Sequence, residues 1–326
     1  MSGLPILTFH PIFQKRVWGG RRLAELYGKA LPPGEPIGES WEITDRPGAA
    51  SVVAEGPLAG RDLRWLMENH RAELLGEARD IGGRFPILAK LLDAQDSLSI
   101  QVHPPAALAA RLKGEPKTEA WLFAATKPGA EIIAGLRVGT THADFEQRLR
   151  AGTVSESVHR IPVRAGDAMF LPSGRLHALC AGSVLFEIQQ NSDTTYRVFD
   201  WNRAGLDGQP RELHIEPALA AIDFNDHEPQ LVSSQFAGPA DCRTRALIPA
   251  GAPFGLEETR LNARSTVQFE LRVPLIVGVV DGTLAVRGGG HEKILVAGQF
   301  GLVPACIGQV CIEAATPTTF ITATAN

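Results

Sequence analysis

The chain has 326 residues, of which 44% are hydrophobic, and this is enough for about two globular domains with sizeable cores. Its 32 basic and 36 acidic residues give a formal charge of −4, so the composition disfavours nucleic acid as a partner. No signal-peptide pattern opens the chain and no run of roughly 18 apolar residues occurs in it, so we expect a cytoplasmic protein without a membrane partner.

Short β-branched or aliphatic runs alternate with 33 glycines and 23 prolines, a pattern typical of β proteins with many tight turns. Helical periodicity is limited to three short segments, and the last of them follows a Thr-Thr capping candidate. The sequence therefore predicts a mainly β protein with a few short helices. In chain order the predicted elements are a helix over 62–75, strands over 85–92 and 97–102, helices over 105–112 and 143–149, and strands over 168–171, 184–190, 275–280 and 283–286.

The composition changes between residues 223 and 239, where the chain is polar, aperiodic and interrupted by proline. Such a stretch is typical of a linker or a long loop. We therefore place a domain boundary near residue 230. The prediction is a first domain with helical insertions over 1–230 and a second β domain over 231–326.

A short sequence echo connects the two halves. Pro172 follows Gly166 by six residues, and Pro304 follows Gly298 by the same spacing. Together with the strand-rich pattern of both halves, this echo favours two related β-barrels over one large sandwich. His177, a candidate metal ligand, follows Pro172 by five residues, whereas no histidine stands at that distance from Pro304. We therefore expect the second barrel to be free of metal.

Three segments of the first half carry residues that bind metals. Strand alternation in SLSIQVHP places Gln101 and His103 on one face, and in PKTEAWLF it places Lys117 and Glu119 side by side. A Pro-Ser-Gly turn precedes His177 and can bring it next to the others. Catalytic zinc usually has three His or carboxylate ligands and one open position. We therefore interpret His103, Glu119 and His177 as zinc ligands, with Gln101 as a weaker fourth ligand or a hydrogen-bonding neighbour.

These segments also resemble known motifs. GDAMFLPSGRLH (166–177) looks like the second motif of the cupin superfamily, and QVH (101–103) followed by Glu119 resembles the first motif with a long insertion. With several further strings in the expected order, residues 5–220 resemble type I phosphomannose isomerases in their short bacterial form. The strings are VWGG (17–20), GESWEI (38–43), RFPILAKLLDA (84–94), SIQVHP (99–104), KTEAW (117–121), PSGRLHAL (172–179), EIQQNSDTTYRVFDWNR (187–203) and RELH (211–214).

The resemblance implies two cupin-like (jelly-roll) barrels and a zinc-dependent aldose–ketose isomerase with one Zn²⁺ per chain. The implied reaction interconverts mannose 6-phosphate and fructose 6-phosphate through an enediol-type intermediate. By the same resemblance Arg197 is catalytic, and Lys117, Lys90 and Ser99 bind the sugar phosphate. No P-loop or dinucleotide glycine pattern follows a strand, so we expect no nucleotide cofactor.

Other functions are compatible with the same residues. The protein could be a sugar-phosphate sensor without turnover, an isomerase of another aldose, or an iron or manganese cupin oxygenase. Retention of the three metal ligands and Arg197 disfavours the sensor, and the string QQNSDTTYR favours an isomerase over an oxygenase. His214, His227 and His291 are expected to have structural or solvent-facing roles.

Overall fold

Antiparallel strands make up most of the chain, which a computed structural model describes over residues 3–326. The expectation of a mainly β protein is confirmed. Each predicted strand is present, with ends that differ by up to three residues. The strands are β1 (Ile12–Gly20), β2 (Ile37–Ile43), β3 (Asp45–Arg46), β4 (Ala49–Ala50), β5 (Ile87–Ala94), β6 (Ile100–Val102), β7 (Glu119–Thr126), β8 (Glu131–Leu136), β9 (Val158–Pro162), β10 (Ala168–Leu171), β11 (His177–Leu179), β12 (Ser183–Gln190), β13 (Tyr196–Phe199), β14 (Cys242–Ala246), β15 (Phe254–Leu261), β16 (Thr266–Glu270), β17 (Leu275–Asp281), β18 (Thr283–Gly288), β19 (His291–Val296), β20 (Phe300–Val303), β21 (Gln309–Ala314) and β22 (Thr318–Ala325).

Eleven of the first thirteen strands form two sheets that pack face to face. Sheet one has the order β1-β2-β5-β12-β7-β10, and sheet two has the order β13-β6-β11-β8-β9. Side chains of alternate residues point to opposite faces of a strand. The inward set of sheet one, including Leu92, Trp121 and Leu185, therefore packs against Ile132 and Leu179 of sheet two.

The last nine strands form a second pair of sheets. Sheet three has the order β14-β15-β22-β17-β20, and sheet four has the order β16-β21-β18-β19. Their shared core includes Val277, Leu284, Val310 and Phe320. Residues 223–241 join the two pairs without a helix or a strand longer than one bridge, as the composition predicts. The domain boundary near residue 230 stays a prediction.

The outer face of sheet one packs against sheet three. Phe186 and Phe300 belong to one buried cluster that both sheets share, with ring centroids 5.4 Å apart. Leu7, close to the start of the chain, exchanges backbone hydrogen bonds of 2.9 and 2.8 Å with Leu302 in β20. The two pairs of sheets are therefore joined by a buried apolar interface.

Short helices connect the strands. In the range where the sequence predicts one helix over 62–75, the backbone leaves helical geometry at His70 (φ −135°, ψ 25°), so two helices form. Only one turn is helical within 105–112. The helices are α1 (Arg22–Tyr27), α2 (Leu63–Asn69), α3 (Arg71–Leu75), α4 (Ala106–Ala109), α5 (His142–Arg150) and α6 (Ile215–Ala221), with 3₁₀ turns at Val154–Glu156 and Ala305–Ile307.

Local hydrogen bonds explain where two of these helices begin. The Asp62 carboxylate accepts the N–H of Trp65 at the start of α2. At the start of α5 the Thr141 hydroxyl accepts the N–H of Asp144, whose carboxylate bonds back to Thr141, which is a complete capping box. Across residues 3–326, no helix has both the length and the apolar character that crossing a bilayer would require.

Candidate active site

Three buried residues bring their donor atoms together between sheets one and two. Glu119 is the first residue of β7, His177 is the first residue of β11, and His103 directly follows β6. Their candidate ligand atoms all lie within 4.8 Å of one another. Glu119 Oε2 is 3.4 Å from His103 Nε2, and Glu119 Oε1 is 3.2 Å from His177 Nε2. The sequence prediction that these three residues meet is therefore matched by the geometry.

Backbone carbonyls orient both imidazoles. His103 Nδ1–H donates to the carbonyl of Thr194 at 2.8 Å, and His177 Nδ1–H donates to the carbonyl of Arg175 at 2.9 Å. A proton on Nδ1 leaves the Nε2 lone pair free, and both Nε2 atoms point towards Glu119. Metal-binding histidines are usually held in this way by a second hydrogen bond.

The donor set fits a metal ion. In tetrahedral coordination with bonds of about 2.0–2.2 Å, ligand atoms lie roughly 3.3–3.6 Å apart, close to the two nitrogen–oxygen distances above. Both oxygens of the fully buried Glu119 lack a hydrogen bond of acceptable geometry, so a cation would satisfy them. Burial and the Lys117 charge lower the pKa of His103 to about 3, which keeps this imidazole in its neutral, coordinating form.

Lys117 places a positive charge beside these donors. Its Nζ lies 2.8 Å from Glu119 Oε2 and 3.3 Å from His103 Nε2. Burial alone would raise the pKa of Glu119, but the positive charge of Lys117 holds it well below its ordinary value. Glu119 is therefore a carboxylate, and it can act as an anionic ligand.

A cavity of about 580 Å³ lies against this cluster, between the inward faces of sheets one and two. Gln101 and Arg197 are register partners on β6 and β13, so both side chains project from the same face of sheet two. All five other predicted site residues line the cavity. They are Gln101, Lys117, Lys90, Ser99 and Arg197.

Gln101 connects the cavity to the cluster of His103, Glu119 and His177. Its amide nitrogen lies 3.4 Å from His177 Nε2, and its amide oxygen accepts the Ser99 hydroxyl at 3.3 Å. Rotation of the amide by 180° would direct the oxygen towards the cluster, and the hydroxyl could then accept instead of donate. Gln101 is thus within reach as a further ligand, and Ser99 holds it in place.

Lys90 is buried rather than solvent-exposed, and two carboxylates already pair with it. Its Nζ lies 3.3 Å from Glu39 Oε2 and 3.2 Å from Glu187 Oε1. The arrangement follows from sheet register, because Trp41, Lys90, Glu187 and Trp121 are successive cross-strand partners on β2, β5, β12 and β7. Lys90 therefore lines the cavity, but the two carboxylates carry more negative charge than its ammonium neutralises.

Hydrogen bonds fix the two carboxylates that flank Lys90. Glu39 accepts from Arg16 Nε at 2.6 Å and from Trp41 Nε1 at 2.7 Å, while Glu187 accepts from Trp121 Nε1 at 2.8 Å. Burial alone would raise the pKa of Glu39, but Lys90 and Arg16 lower it to about 2. Glu39 is consequently charged across the physiological pH range.

Arg197 differs from the other cations because no carboxylate in residues 3–326 pairs with it. Its Nη1 donates to the carbonyl of Glu212 at 2.7 Å, and its buried Nε has no hydrogen-bond partner. His214 supports the backbone here, since its Nδ1 accepts the Arg197 N–H at 3.2 Å. The structural role expected of His214 agrees with this contact.

Four of the charged residues that line the cavity belong to strings that the sequence analysis names, yet none of the four was predicted as a site residue. They lie in GESWEI, EIQQNSD and RELH. A charged residue inside an otherwise apolar strand is the signal that points to Glu39 and Glu187. The four residues are Glu39, Glu187, Asp193 and Arg211.

Comparison with known proteins agrees with this arrangement. The family model for the catalytic domain of type I phosphomannose isomerase matches residues 6–147. A probable mannose-6-phosphate isomerase from Bacillus subtilis is 34% identical over 309 residues, which cover 94% of this chain and 96% of the relative. The chain belongs to the type I mannose-6-phosphate isomerase family. A mannose-6-phosphate isomerase of Streptococcus mutans is 35% identical over 89% of each chain.

Solved structures of this isomerase family show the same fold. The crystal structure of a B. subtilis mannose-6-phosphate isomerase has a TM-score of 0.89 and 31% identity, over 98% of this chain and 99% of the other. The apo form of the Salmonella typhimurium enzyme, at 19% identity, matches in fold with a TM-score of 0.74. The prediction that the chain is a type I phosphomannose isomerase, and therefore an enzyme, is confirmed.

Proposed function

We propose that this isomerase interconverts mannose 6-phosphate and fructose 6-phosphate, with one zinc ion held by His103, Glu119 and His177. The proposal rests mainly on the position of this donor set beside a polar cavity. It is supported by relatives that are named mannose-6-phosphate isomerases. Gln101 would complete the ligand set or hold a substrate oxygen. Its amide is 3.4 Å from His177 Nε2.

Zinc is the ion that the ligand types favour. Two imidazoles and one carboxylate are a common catalytic zinc set that leaves a position free, whereas sites for magnesium or calcium consist of oxygen ligands. When bound, the ion would polarise the sugar carbonyl as a Lewis acid and orient its neighbouring hydroxyl.

The chain's own residues would stabilise the charge that develops on the substrate. Isomerisation moves a proton between C1 and C2 of the open-chain sugar. During this transfer, negative charge develops on O1 and O2, the oxygens attached to these two carbons. Arg197 faces the cavity beside Gln101 with no carboxylate partner, so its guanidinium is available for substrate oxygens. Lys117, 2.8 Å from Glu119, would balance the anionic ligand and can donate a hydrogen bond into the cavity.

A coupled assay of mannose 6-phosphate conversion to fructose 6-phosphate tests the proposal. Chelation should abolish turnover, and zinc should restore it in the wild type but not in Glu119→Gln, which keeps the side-chain size and removes the anionic ligand. Iron with oxygen uptake would instead indicate an oxygenase. Activity restricted to another aldose would change the substrate, and zinc-loaded protein that turns over no aldose would leave only a binding function.

Arg197→Ala tests the second part of the proposal. The variant should keep its zinc and its melting temperature but lose turnover by at least about 100-fold, the usual effect of removing one charge-stabilising donor. Zinc content by elemental analysis and kcat in the same preparation separate the two effects. Near-normal turnover would remove Arg197 from the mechanism.

A further inference from the structure

The turn that precedes β11, residues 172–175, holds both histidines of the metal-ligand cluster. Its Gly174 N–H donates to the backbone carbonyl of His103 at 2.8 Å. Its Arg175 carbonyl accepts the Nδ1–H of His177 at 2.9 Å. A displacement of this turn would therefore move the two imidazoles relative to each other.

The same turn contacts the residue that precedes the third ligand. The N–H of Ser173 donates to the hydroxyl of Thr118 at 3.3 Å, and the two hydroxyl oxygens lie 3.1 Å apart. Thr118 directly precedes Glu119, and its own N–H donates to the Gln190 side chain at 2.9 Å. All three ligands are thus connected to one turn of four residues.

The side chain of Arg175 fixes this turn with three hydrogen bonds. Its Nε and Nη2 donate to the two oxygens of the Asp226 carboxylate, each at 2.8 Å, and its Nη1 donates to the carbonyl of Phe170 at 2.7 Å. A pair of parallel bonds to one carboxylate sets both the position and the plane of a guanidinium. The backbone carbonyl that orients His177 therefore belongs to a residue with a fixed side chain.

The carboxylate that pairs with Arg175 lies in the segment that joins the two pairs of sheets. The backbone carbonyl of Asp226 accepts the N–H of Leu136 in β8 at 2.9 Å. Three residues earlier, the N–H of Asp223 donates to the carbonyl of Gly174 at 2.9 Å. The joining segment is consequently attached to the turn twice, once through backbone atoms and once through the ion pair.

We propose that the Arg175–Asp226 pair is a positioning device that holds the metal ligands in their binding geometry, so that the joining segment contributes to metal affinity. The proposal rests on the metal site proposed above but not on the substrate. Neither side chain lines the cavity, so both would act through the turn. Groups that orient metal ligands typically change metal affinity by about 10- to 100-fold when they are removed.

Arg175→Met and Arg245→Met are a matched pair of variants. Arg245 also donates to a carboxylate, Glu258, and to a backbone carbonyl, that of Gly166. Its side chain is 11% exposed and that of Arg175 is 14% exposed, and its hydrogen bonds within residues 3–326 involve none of the three metal ligands. The two variants therefore remove similar ion pairs, and only one of these pairs is connected to the cluster.

The dissociation constant for zinc, measured by competition with a chromophoric chelator, is the first readout. We expect it to rise by about 10- to 100-fold in Arg175→Met and to change by less than about threefold in Arg245→Met. Arg175→Lys keeps a cation beside Asp226 but not the two parallel bonds, so it should recover part of the loss. The melting temperatures of the two metal-free methionine variants should fall by similar amounts.

The absorption spectrum of the cobalt-substituted protein is the second readout, because its visible bands depend on the arrangement of the ligands. It should change in Arg175→Met and in Asp226→Asn, which keeps the size of the side chain and removes its charge. It should stay as in the wild type in Arg245→Met. If Arg175→Met does not fold, the zinc affinity and the spectrum of Asp226→Asn decide the question.

An unchanged zinc affinity and cobalt spectrum in Arg175→Met would overturn the proposal. An equal loss of affinity in Arg245→Met would also overturn it, because it would assign the effect to a general loosening of the fold. A wild type that binds no divalent metal would refute the pair's role together with the metal site. A wild type that binds zinc but does not convert mannose 6-phosphate would refute the proposed reaction, and the role of the pair would stand if Arg175→Met alone weakens zinc binding.

Discussion

Replacing Lys90 with methionine will leave two buried carboxylates, Glu39 and Glu187, without the ammonium that they share. Lys90 is 4% exposed, Glu39 is 8% exposed and Glu187 is 3% exposed, so water cannot take over the role of the counter-ion. Methionine has a similar length and can fill the space over the Trp41 ring, where Lys90 Nζ now lies 5.0 Å from the ring centroid. The substitution therefore tests charge rather than packing.

The pKa of Glu39 indicates how much stability the substitution should remove. It lies at about 2 instead of the ordinary 4.5, and at about 1.4 kcal/mol per pH unit this corresponds to about 3 kcal/mol in favour of the charged form. Arg16 still contacts Glu39 in the variant, but Glu187 loses the only cation that pairs with it within residues 3–326. We expect the free energy of unfolding to fall by about 3–5 kcal/mol at pH 7, the usual cost of breaking a buried ion pair.

The stability difference between wild type and Lys90→Met should also depend on pH, and the pKa of Glu39 gives the direction of this dependence. In the wild type, the stabilisation from Glu39 is present above its unfolded pKa and is lost as pH falls towards 2, because its folded pKa is lowered. Without Lys90, burial is the largest influence on Glu39 and acts to raise its pKa. Protonation of Glu39 then relieves the penalty as pH falls, so the difference between wild type and variant should be smaller at pH 5 than at pH 7.

Urea unfolding of metal-free protein at both pH values, followed by tryptophan fluorescence, measures these differences. Lys293→Met is the control, because the Lys293–Glu55 pair at 2.8 Å has a Glu55 side chain that is 61% exposed, and its loss should cost less than about 1 kcal/mol. If Lys90→Met costs no more than this control, or if its penalty increases on acidification, the electrostatic account of the Glu39–Lys90–Glu187 cluster is wrong.

Three further predictions concern other contacts. Trp121→Phe removes the 2.8 Å N–H donor of Glu187 and should lower the free energy of unfolding by about 1–3 kcal/mol in urea titrations. Thr141→Ala removes the capping box of α5 and should cost about 1 kcal/mol by the same measurement; no loss would show that the cap is dispensable. Gly38→Ala places a methyl group 2.5 Å from the Trp18 ring, which lines the cavity, so KM should rise and the melting temperature should fall.

Local alternation predicted, segment by segment, which side chains share a face near the His103–Glu119–His177 cluster. In SLSIQVHP and KTEAW a period of two residues fixes which side chains share a face, and β6 and β7 retain that period as far as His103 and Glu119. His177 follows from the turn that precedes β11. The Thr-Thr capping candidate before α5 was also visible in the sequence, because a helix cap depends on residues only a few positions apart.

Long-range register was not predictable in the same way. Lys90 meets Glu39 and Glu187 only because β5 lies between β2 and β12, and no pattern within one strand reports which strands become neighbours. For the same reason the single chain gives no reason to pair Arg175 with Asp226. The break between α2 and α3 was also not predictable, because the apolar spacing continues through His70 although its φ of −135° is not helical.

The bridge between Leu7 and Leu302 has a consequence for synthesis of the chain. The partner of the seventh residue emerges from the ribosome about 300 residues later, which at about 5–20 residues per second means a delay of roughly 15–60 s. During that interval the outer face of sheet one, with Phe186 at its centre, has no sheet three to cover it. The nascent first half thus presents an apolar surface to chaperones, and a ribosome that stalls near residue 230 will release an aggregation-prone fragment.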